Sequence, residues 1–451
     1  MSLCKIYVPQ GALGLGVSAD DVTRAVELGV DAFCCDAGST DSGPYYLGNA
    51  ATKYARSAIK SDMRPLLVEG RKHNIPVILG SCGTSGTNAG VNLYTEIAKE
   101  ILQEEGLHAK IAQIFSSQDP VKIKEKYLEG KVHALGGAPE IDENSFESCS
   151  NIVALAGVEP FIEALNNGAE VVLCGRSTDT AIMAAWPIIH GVEPGVAWHA
   201  AKLIECGPLC TNKPSDKGGV VVTFEKDSAI LEPSNPDNSC SIYSVSAHLL
   251  YENSDPIIMV EPGCIVDTST ARYEQIDERR VRISNATYSE SPYTLKLEGA
   301  RRAGYQTINL VGVRDREIMH DPEGWIQRVI EFTMRRHRSA GIDENDYSFL
   351  IRPYGWNAVY GGKVPEGYVP NEIGFLLTVT ADTQEKATQY AKTFNPALLH
   401  CPYDPDKQIP SFAYPFSPAE IERGPVYEFV LNHVVEVDSP TELLKMQYIE
   451  A

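Results

Sequence analysis

The sequence lacks any run of apolar residues long enough to cross a lipid bilayer, which takes about 18 or more. Its first residues, MSLCKIYVPQ, show no basic leader followed by an apolar segment, so we expect a cytoplasmic protein. Basic residues are in deficit, because 39 Lys and Arg face 60 Asp and Glu for a net charge of −21. Clustered Lys and Arg recognise nucleic acids and anionic membranes, so we predict neither as a partner.

Motifs for common cofactors are missing as well. The glycine-rich run GALGLG at residues 11–16 resembles a dinucleotide fingerprint, but Leu13 stands where its second glycine should be. No P-loop is present, and the ten histidines form neither an HxH nor an HExxH pattern. We therefore predict no nucleotide cofactor and no transition-metal site, which disfavours a metal-dependent hydrolase. Mg²⁺ held by oxygen ligands alone stays open.

The eleven cysteines are scattered and odd in number. Without an export signal, we expect them to be reduced thiols in a cytoplasm. Cys206 and Cys210 lie close together, but no second pair of ligands accompanies them, so their spacing does not define a zinc site.

The first 200 residues alternate short apolar runs with helical patterns. A helix is expected over residues 152–166. Strands are expected over residues 5–9, 30–35, 76–80, 109–115 and 170–174. Strand, loop and helix repeated in this order are typical of βαβ units. The pattern predicts an α/β fold that begins with a mainly parallel sheet and flanking helices.

After residue 198 the pattern changes to strands separated by turns, which predicts a second, α+β domain with mixed or antiparallel pairing. One strand is expected over residues 257–267, and the last over residues 426–435. The 451 residues suffice for two or three domains.

The aperiodic stretch GPLCTNKPSDKG marks the predicted boundary between the two domains. It separates an α/β domain over residues 1–210 from an α+β domain over residues 218–451. A long loop at residues 400–418 of the second domain is rich in proline and aromatic residues, as lids and interfaces often are.

Three loops rich in glycine and hydroxyl side chains follow predicted strands, at residues 36–43, 80–87 and 175–179. Open α/β sheets bind ligands at the carboxyl ends of their strands, where backbone N–H groups hold anions. Arg176 adds a bidentate donor for a carboxylate or phosphate. The alternative is that these residues only form tight turns. The candidate binding residues are Ser39, Thr40, Ser81, Gly83, Thr84, Arg176, Ser177 and Asp179.

Three residues are candidate catalytic groups. Asp36 is a candidate general acid or base, because neighbouring carboxylates such as Asp41 and Asp179 raise a carboxyl pKa towards neutrality. Cys82, inside the second loop, is a candidate thiolate, and His199 is a candidate proton carrier. Each has a structural alternative, since aspartates cap turns and helices while cysteine and histidine are often buried in the core.

Several motifs, in order along most of the chain, are similar to those of one family. They are DAFCCDAGSTDSGPYYLG, PVILGSCGTSGTNAG, VVLCGRSTDTA, AWHAAKLIECGPLCT and AHLLYENSDP with its continuation IIMVEPGCIVD. The sequence resembles in these motifs the acyclic terpene utilisation A (AtuA-like) family, formerly a domain of unknown function. The resemblance implies an enzyme-like protein of terpene or small di- and tricarboxylate metabolism. Some members look like the large subunit of a cofactor-independent hydro-lyase for mesaconate-type acids.

The resemblance also implies partners. Longer relatives carry a small ferredoxin-like domain after the position where this sequence ends, at residues 446–451. We therefore expect a separately encoded, small ferredoxin-like partner subunit, and self-association into a homo-oligomer. The resemblance assigns no catalytic residue.

Loops and resemblance together favour a lyase, specifically a hydratase or dehydratase, that acts on a small unsaturated or hydroxylated di- or tricarboxylic acid such as mesaconate. The strand-end loops and Arg176 would bind the carboxylates, and Asp36, a nearby carboxylate or His199 would move the proton. A hydratase for terpenoid or branched enoyl-CoA thioesters is one alternative. A non-catalytic binding or scaffold subunit is another.

Overall fold

The computed structural model of the chain describes residues 2–215, 218–252, 255–410 and 412–451. Its strands are β1 Cys4–Val8, β2 Ala32–Asp36, β3 Val77–Gly80, β4 Lys110–Phe115, β5 Val132–Ala134, β6 Asn151–Ala154, β7 Val171–Cys174, β8 Val220–Phe224, β9 Ser228–Pro233, β10 Ile258–Glu261, β11 Cys264–Asp267, β12 Arg272–Gln275, β13 Val281–Ser284, β14 Thr287–Glu290, β15 Thr294–Val313, β16 Tyr347–Tyr354, β17 Ile373–Ala381, β18 Phe412–Ala413, β19 Glu420–Glu436 and β20 Lys445–Glu450. Its helices are α1 Ala19–Glu27, α2 Pro44–Gly48, α3 Arg56–His73, α4 Asn88–Glu105, α5 Pro120–Leu128, α6 Ser145–Ser148, α7 Glu159–Asn166, α8 Asp179–Ile189, α9 Pro194–Ile204, α10 Ile242–Glu252, α11 Arg316–His320, α12 Pro322–Ala340 and α13 Gln384–His400. The chain is a mixed α/β protein, as the sequence predicted.

Two compact units make up the chain, one of residues 1–301 with 428–451 and the other of residues 302–427. The boundary predicted between residues 210 and 218 falls inside the first unit. Strand β8, which follows it, pairs antiparallel with β1, with Val222 opposite Ile6. The change of pattern after residue 198 therefore marks a change of strand direction within one sheet.

A ten-stranded sheet organises the first unit, in the order β12-β13-β9-β8-β1-β2-β3-β7-β4-β20. The five strands from β1 to β4 in this order are parallel, which confirms the predicted parallel sheet. Side chains alternate between two cores: Ile6 packs on one face with Trp198 of α9, and Tyr7 on the other with Leu66 of α3. Helices thus cover both faces of the parallel strands.

Two segments differ from the predicted elements. Residues 152–154, expected to begin a helix, belong to strand β6, which pairs antiparallel with β15. The β-branched Ile152 and Val153 suit a strand, and the helix starts only at Glu159. Residues 257–267, expected as one strand, form the hairpin β10–β11. Gly263 in its turn has a φ of +74°, where a side chain is disfavoured.

The last strand was predicted too early. β19 is followed by β20, which pairs antiparallel with β4 at the edge of the large sheet, with Gln447 opposite Gln113. Most side chains of β20 are exposed, as is usual for an edge strand, so the segment carries no clear apolar alternation.

The second unit has the order β15, α12, β16, β17, α13, β19 along the chain. Its strands follow the spatial order β16-β17-β15-β19, with β17 antiparallel to both β15 and β16. A βαββαβ chain with this order is the ferredoxin-like arrangement. Trp325 of α12 and Phe394 of α13 belong to its apolar core. The sequence had suggested this topology only for a separate partner subunit.

No helix within the described ranges has both the length and the apolar content to cross a membrane.

Candidate active site

The three glycine-rich loops lie side by side, because β2, β3 and β7 are neighbours in the parallel sheet. Backbone hydrogen bonds join them beyond the strand ends. The N–H of Ala37 donates to the carbonyl of Gly80 at 2.9 Å, and the N–H of Ser81 donates to the carbonyl of Gly175 at 2.8 Å. The carboxyl ends of three strands therefore form one continuous polar surface, as expected for a parallel sheet.

Close backbone packing fixes the position of Arg176. Gly86 has a φ of +65°, and a Cβ there would lie 2.1 Å from the Arg176 backbone nitrogen. Ser81 has a φ of +49°, an unusual value for a residue with a side chain. Such conformations concentrate where the surrounding structure holds a site in place.

Arg176 is buried at the centre of the site, with 6% of its surface exposed. Its Nε donates to Glu298 Oε2 at 3.0 Å. Its Nη1 donates to Ser81 Oγ at 3.0 Å and to the Ser177 carbonyl at 3.2 Å, and lies 3.5 Å from Asp179 Oδ1. Nη2 donates to no described residue, so its N–H groups remain for a ligand.

Glu298 is the carboxylate that balances Arg176. Lys296 Nζ donates to its other oxygen, Oε1, at 3.0 Å. Burial alone would raise the pKa of Glu298, but Arg176 and Lys296 more than offset burial and lower the pKa to about 2. Lys296 and Glu298 both lie on β15, where they alternate with the buried Leu295 and Leu297. Neither residue was predicted from the sequence. The available signal was a pair of charged residues that alternates with leucines.

Asp36 and Asp179 complete the charged cluster. Asp36 is buried; its Oδ2 accepts the Gly38 N–H at 3.2 Å, and its Oδ1 has no partner among the described residues. Burial and then repulsion by Asp179 raise the pKa of Asp36 well above its usual value. Asp179, the first residue of α8, is 35% exposed, and its partial burial also raises its pKa. Asp36 thus holds its proton more tightly than an ordinary carboxyl does, next to a more accessible carboxyl.

A cavity of about 330 Å³ opens beside this cluster. Its walls include Thr40, Asp41, Lys296, Glu298, Leu431 and Asn432. Two of these are polar groups of the first loop, and two are the charged residues of β15. The cavity has the size of a small-metabolite site and mixes both signs of charge.

A second polar cluster lies beyond Asp179. Lys202 Nζ donates to Glu205 Oε1 at 2.6 Å, and Thr180 Oγ1 donates to Glu205 Oε2 at 3.2 Å. Burial raises the pKa of Glu205 to about 8, although Lys202 opposes the effect. Burial raises the pKa of Glu261, and Lys202 and the hydroxyl groups of Thr178 and Thr180 oppose this effect. The first turn of α8 therefore contacts both clusters.

Two candidate catalytic residues lie in the apolar core. Cys82 is fully buried, and burial raises the pKa of its thiol well above the usual value, so it is not a thiolate nucleophile. His199 is also fully buried, its Nε2 lies 2.9 Å from the Tyr273 hydroxyl, and burial lowers its pKa to about 4. His199 is a neutral core histidine, which was the structural alternative for it.

The remaining candidate residues shape the loops. Ser39 Oγ accepts the Asp41 N–H at 3.1 Å and caps a short turn. Thr84 Oγ1 accepts the Lys53 N–H at 2.9 Å. Gly83 has a φ of +79° and packs against the backbone of α4. These three contacts fit the turn-forming alternative, whereas Ser81, Ser177 and Asp179 contact Arg176 directly.

Glu205, Cys206 and His248 offer a set of potential metal ligands, since one ligand atom of each lies within 4.8 Å of the other two. The sequence gave no sign of this group, because His248 lies more than 40 residues after the other two.

Fold and site together define an α/β protein with a buried arginine among carboxylates at the carboxyl ends of its parallel strands. Residues 43–404 match the sequence model of the acyclic terpene utilisation family protein AtuA. The chain belongs to this family, as its motifs predicted. Neither a curated protein nor a solved structure matches the chain.

Proposed function

We propose that the protein is a hydro-lyase that adds water to a small unsaturated di- or tricarboxylate such as mesaconate, or removes it from the hydroxylated product. The observation that carries this proposal is the buried Arg176, which keeps Nη2 unused among the described residues and has two carboxyls of raised pKa beside it. The N–H groups of Nη2 suit a substrate carboxylate, and carboxyls of raised pKa suit proton transfer near neutral pH.

The proposed step uses one proton carrier. Asp179, as a carboxylate, takes a proton from water while the water oxygen bonds to the β-carbon of the double bond. The electron pair of the double bond moves towards the substrate carboxylate, where Arg176 stabilises the developing negative charge. Asp179 then returns the proton to the α-carbon, which restores the enzyme and completes the addition of water.

Asp36 has a positioning role in this proposal. Its neutral carboxyl keeps the total charge around Arg176 low, so that Asp179 stays the anion that accepts the proton. If Asp36 ionised, a further negative charge would oppose both binding of an anionic substrate and ionisation of Asp179. We therefore expect activity to fall at high pH as Asp36 loses its proton.

The cavity supports a free acid rather than a thioester as substrate. Its volume of about 330 Å³ lies at the small end of ligand sites, and Lys296 in its wall offers a second cation for a second carboxylate. A coenzyme A thioester would leave most of its length outside. An enoyl-CoA hydratase is thus the less favoured alternative.

The test is loss of enoate absorbance with mesaconate, fumarate, cis-aconitate and branched enoyl-CoA esters. Asp179→Asn should reduce kcat by about 10²–10⁴-fold, the usual contribution of general acid–base catalysis. Asp36→Asn keeps the neutral form of that side chain, so it should retain activity and lose the fall at high pH. Glu428→Gln, which changes an exposed pair with Arg301, is the matched control and should leave kcat and its pH dependence unchanged.

The outcomes separate the alternatives. Turnover of a thioester but of no free acid would show that the protein is an enoyl-CoA hydratase and would refute the proposed carboxylic acid substrate. Equal loss in Asp36→Asn and Asp179→Asn at every pH would overturn the assignment of roles. No turnover of any compound by the folded protein, alone or with its partner, would favour the non-catalytic binding or scaffold role.

Partners and cofactors are part of the same proposal. We propose that a small ferredoxin-like subunit completes the enzyme and that the chain forms a homo-oligomer. Activity that appears only after addition of the subunit, and the mass of the assembly in solution, would test both. The proposed step needs no redox cofactor, and added chelator and Mg²⁺ test whether a hard cation takes part.

A further inference from the structure

A group of potential ligands lies where the end of α9 meets α10, and the proposed reaction uses none of its members. Glu205 is the C-cap residue of α9 and Cys206 follows it, while His248 lies on α10. One oxygen, sulfur or ring nitrogen from each lies within 4.8 Å of the other two. We infer that these three residues bind a thiophilic divalent cation of the Zn²⁺ class.

His248 supplies the observation that points to a ligand. The residue is 4% exposed, and its Nε2 has no hydrogen-bond partner among the described residues. A buried polar atom without a partner destabilises the folded state, so such atoms are rare in native proteins. A metal ion bound through Nε2 would give the imidazole the missing partner.

The donor set selects the metal. One carboxylate oxygen, one thiol sulfur and one imidazole nitrogen are the ligand types of zinc sites, and three protein ligands leave a fourth position open. Thiolate and imidazole favour Zn²⁺, Co²⁺ and similar ions over Mg²⁺ and Ca²⁺, which prefer oxygen ligands. Atoms that share one Zn²⁺ at bond lengths of about 2.0–2.3 Å lie less than 4.8 Å apart, so the spacing of the three ligand atoms is compatible with a shared ion.

The side chains around the group are mostly acidic. Glu261 and Asp179 both act electrostatically on Glu205, and Lys202 is the basic residue that opposes them. Carboxyl groups thus outnumber ammonium groups here by three to one, and carboxyl oxygens bind cations once they are ionised. Lys202 and Thr180 each hold one oxygen of Glu205, which fixes the carboxylate as outer partners do in metal sites.

The test uses full-length protein without a histidine tag, stripped with chelator and titrated with Co²⁺. We expect one equivalent to bind, with a thiolate-to-cobalt charge-transfer band and the visible bands of tetrahedral cobalt. Zn²⁺ should displace Co²⁺, and Mg²⁺ in large excess should not. Cys206→Ser should remove the charge-transfer band, because that band needs the thiolate.

Ligand variants and matched controls complete the test. His248→Gln should weaken binding by more than about 100-fold, since loss of even an outer partner weakens metal sites 10–100-fold. Cys149→Ser and His433→Gln change a half-buried cysteine and a buried histidine elsewhere and should bind as wild type. Far-ultraviolet circular dichroism confirms that each variant is folded, and Glu205→Gln is a second ligand variant of nearly unchanged shape.

Three results would overturn the inference. The first is a protein that binds no stoichiometric Co²⁺. The second is a charge-transfer band that survives in Cys206→Ser. The third is a loss of Co²⁺ affinity in the two control variants as large as that in the ligand variants. The readout is metal binding and not turnover, so the result is independent of the proposed hydro-lyase activity.

Discussion

Glu298→Gln should destabilise the first unit by about 3 kcal/mol. The surroundings lower the pKa of Glu298 from its ordinary value of 4.5 to about 2. At about 1.4 kcal/mol per pKa unit, this difference corresponds to roughly 3 kcal/mol in favour of the carboxylate. Removing one partner of a buried ion pair costs about 3–5 kcal/mol, because the other charge stays buried without compensation. Both arguments give the same magnitude for leaving Arg176 without Glu298.

The assay is urea unfolding at pH 7, followed by circular dichroism and by tryptophan fluorescence. Coincident transitions by the two probes allow a free energy of unfolding to be derived. Glu428→Gln is the matched control, because Glu428 pairs with Arg301 where both side chains are about half exposed. Exposed pairs contribute about 0–1 kcal/mol. A Glu298→Gln effect no larger than that of the control would refute the buried-pair argument.

The pH dependence has a definite sign. The folded-state pKa of Glu298 is lowered, so its stabilisation is present above about pH 4.5 and is lost as the pH falls towards about 2. The difference in unfolding free energy between wild type and Glu298→Gln should therefore shrink on acidification. More than half of it should be gone at about pH 3. A difference that is constant from pH 7 to pH 3 would contradict an electrostatic origin.

Two further substitutions test the packing around the site. Gly86→Ala should destabilise the protein much more than Gly106→Ala, because both glycines have a φ of +65° but only the Cβ at Gly86 would clash, against Arg176. Gly106→Ala should lower the free energy of unfolding only by the roughly 1–2 kcal/mol that a left-handed conformation costs a residue with a side chain. Equal shifts in melting temperature would contradict the close packing at Gly86. Tyr273→Phe should lower the free energy of unfolding by about 1–3 kcal/mol, because both ring nitrogens of the buried His199 would then lack a partner among the described residues. An unchanged melting temperature would show that the contact between Tyr273 and His199 does not stabilise the protein.

The loops of the site could be predicted from the sequence because their signals are local. Apolar runs that end in glycine, serine and aspartate mark strand ends, and parallel strands bring such ends together. Arg176 and Asp179 followed from the same argument. What local patterns do not give is burial, and burial is what separates Asp179, partly exposed, from Cys82, which lies in the core.

The partners from distant segments could not be predicted. Glu298 reaches Arg176 from a strand more than 100 residues later, and His248 reaches Cys206 from a separate helix. Such contacts depend on which strands and helices become neighbours, and periodicity does not encode this. The domain boundary was misplaced for the same reason, because strand β8 returns to pair with β1. Alternation identifies a strand but does not say which sheet it joins.

The first turn of α8 explains why two clusters of charge can coexist in one unit. Thr178 caps the helix by accepting the N–H of Ala181 at 3.2 Å, Asp179 faces Arg176, and Thr180 donates to Glu205. Successive residues of a helix point about 100° apart, so three neighbours serve three different directions. A substitution at Asp179 should therefore affect both clusters, because this carboxyl acts electrostatically on Arg176 and on Glu205.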